Sequence, residues 1–187
     1  MIQKIKRYVT GHNADGKAIV TYDDHAPNAV PLKGWPGAGV TELWVTGEMP
    51  VDNMGKDDQS LRPLQHDPTP NGTIFRVVEI PPESGSKIDT EETFRQLGSG
   101  NKPTSEDQEK HPTMHKTNSI DYLVVISGEM WMVMEEGEVL LKAGDCIVQR
   151  GTNHAWANRS GQVCRMLFIL VDGQFVADLP GTATQTE

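Results

Sequence analysis

Short apolar runs separated by glycine turns fill the second half of the chain and constrain its fold most. The turns are Ser127-Gly128-Glu129, Glu136-Gly137, Ala143-Gly144-Asp145 and Ser160-Gly161. The runs between them cover residues 121–127, 130–134, 139–141, 146–149, 154–158 and 164–171. Many short strands joined by glycine turns are typical of an antiparallel sandwich or barrel. This part of the chain is therefore predicted to be all-β.

Further strand-like runs precede this part. Residues 7–10 and 17–22 flank a turn made by 13–16, which predicts a hairpin. Residues 41–46 and 73–80 are also predicted strands. The chain between those two is rich in Pro, Asp, Asn and Gly, so it is predicted to be a long irregular connection.

One short helix is predicted in the insertion that spans residues 83–110. Asp89 can cap it, with Glu92 three residues on, as in a capping box. Residues 90–97 would form the helix, and Gly98 stands where a C-terminal glycine belongs. The polar remainder, 98–110, is predicted to be a loop. Insertions of this kind often form lids over binding sites.

Charge and cysteine content exclude several classes of function. The net charge is -9, from 26 acidic and 17 basic residues, which argues against binding to nucleic acid or to an anionic membrane. The N-terminus has no apolar core of signal-peptide length, so we expect a cytoplasmic protein. Cys146 and Cys164 lie in apolar runs without CxxC spacing and are expected to pack as reduced, small apolar residues.

Two motifs in register resemble those of the cupins, which are small jelly-roll barrels. The first reads His115-Lys-Thr117-Asn-Ser-Ile-Asp121, followed by Gly128. The second reads Gly144-Asp145, then Gln149-Arg150-Gly151, then His154 and Asn158. The resemblance implies a cupin jelly-roll barrel over 73–172, with extra N-terminal strands and an irregular extension over 1–72, one short helix in an insertion, and a C-terminal tail over 173–187.

The motifs also depart from the family pattern. The second histidine of the first motif is Thr117, its usual glutamate is Asp121, and the usual proline of the second motif is Arg150. The ligand set implied by the resemblance is therefore His115, Asp121 and His154, holding Fe, Zn, Mn or Ni. His111 is an additional histidine that could replace the missing ligand or move a proton.

Three interpretations of these polar residues remain open. His115, Asp121 and His154 could hold a divalent metal with positions left for substrate. They could instead form a hydrogen-bonded cluster without metal. As a third possibility, His111, His115, Asp121 and His154 could act as general acids and bases.

Other residues are candidates for binding substrate. Trp156 shares a strand face with His154 and could form an aromatic wall, or it could simply belong to the core. Arg76 and Gln149 could reach a substrate carboxylate, or they could face outward. His12, His25 and His66 lie in loop-like segments and are expected to be solvated.

The preferred function is that of a small-molecule enzyme, a dehydratase or decarboxylase acting on an organic acid or polyketide-like substrate. A non-haem iron dioxygenase is the first alternative, and a non-catalytic cupin that binds a small ligand is the second. Homodimerisation through exposed apolar positions such as Trp44 is expected by analogy with other cupins.

Overall fold

Antiparallel strands form most of the regular secondary structure, as the turn glycines predict. The computed structural model describes residues 2–55, 57–83 and 87–174. Its strands are β1 Lys6–His12, β2 Ala18–His25, β3 Asn28–Pro31, β4 Gly39–Thr46, β5 Thr73–Ile80, β6 Ser119–Ser127, β7 Glu129–Met134, β8 Glu138–Lys142, β9 Cys146–Arg150, β10 His154–Ala157 and β11 Cys164–Asp172. Every predicted strand is present, and β3 is one that the sequence analysis missed.

The strands form a six-stranded sheet, a three-stranded sheet and a separate hairpin. The large sheet has the order β3-β4-β5-β11-β6-β9, and the small sheet has the order β10-β7-β8. Every second residue of β11 is buried, from Cys164 to Leu170, because successive side chains of a strand point to opposite faces. The main core joins these side chains to Met130, Leu141 and Trp156 of the small sheet.

The N-terminal strands join the large sheet directly through β3 and β4. The β1-β2 hairpin is attached to that sheet by Arg7, which is only 7% exposed. Its guanidinium donates to Asp24, to Asp58 and to the carbonyl of Leu43. Trp44 was expected to be exposed, but it is half-buried, with its ring 6.2 Å from that of Tyr22. Homodimerisation stays a prediction.

The insertion contains two helices, one more than expected. The first, α1, spans Thr90–Gln96 with Asp89 as its N-cap, and Gly98 follows with a φ of 64°. The second, α2, spans Ser105–Lys110 and begins with a capping box between Thr104 and Asp107. None of its residues is buried, so the sequence offers no apolar periodicity that would have revealed it.

The two cysteines are free thiols in different surroundings. Cys164 is fully buried, and burial raises its pKa to about 11. Cys146 is exposed, contrary to expectation, because its side chain points to the outer face of β9. No helix in the described part of the chain is long and apolar enough to cross a membrane. The predicted tail lies outside the described residues from position 175 on.

Candidate functional site

A cavity of about 80 Å³ lies between the two sheets and is closed on one side by α1. One water needs roughly 10–15 Å³ by the same measure, so the space suits a small organic molecule. Its apolar lining consists of Leu32, Trp35, Val40, Val78, Ile80, Phe94, Leu97, Trp156, Phe168 and Leu170. Its polar lining consists of His66, Arg76, Thr93, Thr113, His115, Thr117, Asp121 and His154.

His115 and His154 are held side by side by the main chain. They form an isolated antiparallel bridge in which each backbone N–H donates to the other's carbonyl at 2.9 Å. Their ring centroids are 4.5 Å apart. The two cupin-like motifs therefore meet at this bridge, which places both imidazoles in the cavity.

Each imidazole is oriented by a carbonyl two residues earlier in the chain. His115 Nδ1 lies 2.7 Å from the Thr113 carbonyl, and His154 Nδ1 lies 2.8 Å from the Thr152 carbonyl. A carbonyl oxygen only accepts hydrogen bonds, so Nδ1 carries the proton in both rings. The neutral imidazoles consequently present Nε2 as a lone-pair acceptor.

Two predicted site residues lie outside the cavity lining and bond to the two threonines that supply those carbonyls. His111 was predicted to be catalytic, but it ends α2, and its Nε2 lies 2.8 Å from Glu83 Oε1. Its Nδ1 accepts from the backbone N–H of Thr113. Gln149 was predicted to bind substrate, but its amide donates to the Thr152 carbonyl at 3.2 Å. Each residue thus acts on a cavity histidine only through a threonine.

Burial sets the charge state of the titratable groups. It lowers the pKa of His115 to about 4 and that of His154 to about 3, so both are neutral at pH 7. It raises the pKa of Asp121 to about 6, although the Ser119 hydroxyl, which donates at 2.5 Å, opposes the shift. Asp121 is therefore the cavity group whose protonation changes nearest neutral pH.

His66 belongs to the cavity, contrary to the prediction that it is solvated. It is 7% exposed, its ring centroid is 4.7 Å from that of His115, and burial holds its pKa well below 6.5. Its Nδ1 lies 3.1 Å from Ser99 Oγ, and Phe94 packs against its ring. The long connection between β4 and β5, which contains His66, folds towards the cavity. No local pattern in the sequence predicts this path.

Arg76 and Trp156 both line the cavity. Arg76 is 4% exposed and points inward from β5, so the outward orientation considered from the sequence is wrong. Its Nη1 and Nη2 donate to the carbonyls of Gln65 and His66 at 2.9 and 2.8 Å. The Trp156 ring lies edge-on to His154 and to Phe168, at centroid distances of 5.2 and 5.9 Å. Trp156 is thus both core and cavity wall.

The predicted metal ligands do not form a complete set here. No group of three or more His, Cys, Asp or Glu side chains in the described ranges is placed to hold a metal ion. Thr117 is buried in the cavity wall where the resemblance would place a histidine. His115 and His154 offer two imidazole nitrogens, but the structure does not bring Asp121 together with them as a third ligand.

Comparison of the sequence with known proteins identifies its family. The family model described as "Cupin domain" matches residues 103–170, which contain both histidines of the bridge. "Phomopsin biosynthesis cluster protein C'" of Diaporthe leptostromiformis is 31% identical over 176 residues, covering 90% of this chain and 78% of that protein. The chain belongs to the cupin family.

Other cupins are similar at lower identity. "Cupin-domain-containing oxidoreductase virC" of Hypocrea virens is 27% identical over 179 residues, covering 91% of this chain and 77% of that protein. Among solved structures, the cupin domain of Cnp3 from Schizosaccharomyces pombe is 11% identical, covers 91% of this chain and 89% of that one, and has a TM-score of 0.44.

Proposed function

We propose that this cupin is a small-molecule enzyme, a dehydratase or decarboxylase that acts on a hydroxylated or polyketide-like organic acid in the cavity. The observation that carries the proposal is that one cavity is lined by Asp121, with its pKa raised to about 6, and by the two neutral imidazoles of His115 and His154. The names of relatives from the phomopsin and oryzines biosynthesis clusters agree with a biosynthetic substrate.

The pKa values decide which group moves the proton. Proton transfer is most efficient when the pKa of the catalytic group lies near the working pH. A His115 pKa of about 4 and a His154 pKa of about 3 make both rings poor bases at pH 7. Asp121 is mostly ionised at pH 7 yet basic enough to accept a proton. It is therefore the general base, and the imidazole Nε2 atoms accept hydrogen bonds from substrate hydroxyl groups.

In a dehydration, Asp121 removes the hydrogen next to the substrate carbonyl. The electron pair of the broken C–H bond forms the carbon–carbon double bond as the neighbouring C–O bond breaks. The proton held by Asp121 then passes to the leaving hydroxyl, which departs as water, and the carboxylate is restored. The apolar wall around Trp156 and Phe168 excludes bulk water from this exchange.

Hydrogen exchange in deuterium oxide tests the proposal even when turnover is incomplete. A panel of 2-hydroxy, 3-hydroxy and 3-oxo acids would be incubated with the protein and followed by NMR and mass spectrometry. We expect deuterium at the carbon beside the carbonyl, with loss of water or carbon dioxide from the best substrate. Asp121→Asn should abolish both. Exchange that is unchanged in this variant would exclude Asp121 as the base.

An oxidoreductase is the second candidate, because relatives such as virC carry that description in their names. The bonds from Nδ1 to backbone carbonyls are also those that orient metal-ligating histidines in other proteins. The metals expected from the sequence are Fe, Zn, Mn and Ni, and elemental analysis of protein purified without chelators tests for them. Oxygen consumption with Fe(II) but not with Zn(II) would favour this candidate over the dehydratase.

A further inference from the structure

Arg76 is a buried cation without an ion pair. Its hydrogen-bond partners among the described residues are two main-chain carbonyls, and no described carboxylate forms an ion pair with it. Its Nε is buried and has no hydrogen-bond partner in the described residues. A buried charge is costly unless it is paired and hydrogen-bonded. Arg76 Nε–H therefore lacks an acceptor in the described part of the cavity wall.

Glu42, Asp67 and Asp121 act on Arg76 through charge, although none of them forms an ion pair with it in the described residues. Each has another contact, while Glu42 Oε1 and Asp67 Oδ1 have no hydrogen-bond partner among the described residues. Arg62 lies 3.8 Å from Glu42. Asn101 donates to Asp67, whose side chain is 26% exposed, and Ser119 donates to Asp121. These groups act on Arg76 only at longer range, so they leave its direct contacts to a ligand.

A second buried donor in the same cavity points to the same kind of ligand. Trp35 lines the cavity and is 6% exposed, and its Nε1–H has no hydrogen-bond partner among the described residues. Buried polar groups in proteins are nearly always hydrogen-bonded, so an unpartnered donor calls for a specific explanation. Arg76 Nε–H and Trp35 Nε1–H can only donate, so both require acceptor atoms.

We propose that the ligand carries a carboxylate that binds Arg76, together with an oxygen acceptor that reaches Trp35. The inference rests on the proposed function only in placing the ligand in this cavity. Arg76 is held by its two carbonyl contacts, which leaves Nε–H and one further N–H on each terminal nitrogen for the carboxylate. The acceptor nitrogens of His115 and His154 would then meet hydroxyl groups of the same molecule, which describes a hydroxy acid.

Binding measurements without turnover test this recognition directly. Isothermal titration calorimetry would compare cinnamate with cinnamamide, which has the same shape but no charge, and 3-phenyllactate with its amide. We expect each acid to bind at least tenfold more tightly than its amide. Equal affinity of acid and amide, or no saturable binding of either acid, would overturn the proposal.

Variants identify the residue responsible. Arg76→Gln should weaken the binding of both acids by roughly tenfold or more and remove the preference over the amides. Arg76→Lys keeps a charge but loses the planar fork, and should restore only part of the affinity. Arg95→Gln, an exposed arginine of α1 outside the cavity lining, is the control and should bind like the unmodified protein. Trp35→Phe should weaken the binding of the acids several-fold, because it removes the Nε1–H donor.

The outcomes separate this proposal from the proposed function. Acids that bind through Arg76 but undergo no exchange would leave the recognition standing and remove the lyase. Hydrogen exchange that persists in Arg76→Gln with unchanged substrate affinity would leave the proposed lyase standing and remove the proposed role of Arg76 in recognition. Circular dichroism and thermal unfolding of each variant verify that it is folded before its binding is interpreted.

Discussion

Two buried arginines of this cupin differ in what surrounds them. Arg7 joins the β1-β2 hairpin to the large sheet and contacts Asp24, Asp58 and a carbonyl, so its charge is neutralised within the protein. Arg76, in the cavity wall, donates to the carbonyls of Gln65 and His66 and forms no ion pair with a carboxylate of the described residues. Burial alone therefore does not distinguish the two arginines, and the proposal that Arg76 binds a ligand rests on its missing ion pair.

The largest expected effect tests the cavity region. Asp121→Asn removes the proposed base but keeps the size of the side chain, so kcat should fall by about 10²–10⁴-fold. Stability at pH 7 should stay the same or rise, because burial raises the pKa of Asp121 and so disfavours its charged form in the folded protein. Steady-state kinetics and chemical denaturation measure the two effects. A parallel loss of stability would instead make Asp121 structural.

Arg7→Gln tests the hairpin region with the opposite expectation. The change leaves Asp58 buried without its cation, which should lower the free energy of unfolding by about 3 kcal/mol. Ligand affinity in the cavity should be unchanged in the folded fraction. Urea denaturation and calorimetry would measure these quantities, with Lys6→Gln as a control for an exposed cation of the same hairpin. The contrast between the arginines fails if Arg7→Gln weakens binding without affecting stability.

Between pH 7 and about 4.5, acid sensitivity should come from the cavity, because the lowered pKa values of Asp24 and Asp58 make the hairpin lose stability only at lower pH. The folded-state pKa values of His115, about 4, and His154, about 3, lie below the ordinary 6.5, so the unfolded chain binds protons that the folded protein does not. Stability contributed by these neutral rings is present above pH 6.5 and is lost as the pH falls towards 4. Asp121 offsets part of this loss, because its raised pKa makes the folded form the better proton acceptor between about pH 6 and 4.

His154→Asn therefore should reduce the loss of stability between pH 7 and 4.5 by on the order of 2 kcal/mol. An asparagine side chain can still donate to the Thr152 carbonyl, which keeps the local bond. Urea denaturation at several pH values makes the measurement, with His25→Asn, an exposed position on β2, measured alongside as the comparison variant. If the free energy of unfolding falls equally steeply with decreasing pH in both variants, His154 is not among the groups responsible.

The smallest expected effect concerns the contact between Ser99 and His66. Ser99→Ala removes a partly buried hydrogen bond of 3.1 Å, which should cost about 1 kcal/mol of stability. Because the His66 carbonyl also accepts from Arg76, affinity for a carboxylate should fall by no more than a few-fold. Calorimetric titration of Ser99→Ala with cinnamate checks this, and a loss as large as that of Arg76→Gln would mean that Ser99 itself contacts the ligand.

The strand framework could be predicted because its patterns are local. Turn glycines and the alternation of side chains along strands locate β6 to β11, and motif spacing brings His115 and His154 together. His66 and Phe94 could not be predicted as cavity residues, since their positions depend on the path of a long connection and on the docking of α1. His111 and Gln149 were assigned to the site because of proximity in sequence, which does not reveal that their bonds hold Thr113 and Thr152.

The bridge between His115 and His154 has a consequence for how the cavity can diversify. Main-chain bonds set the distance between the two rings, and main-chain carbonyls set which nitrogen each ring presents. Neither property depends on the identity of the apolar side chains nearby. Substitutions at Leu32, Val40 or Phe168 would therefore change the shape of the cavity for another molecule. The two Nε2 acceptors of His115 and His154 would keep their spacing and orientation.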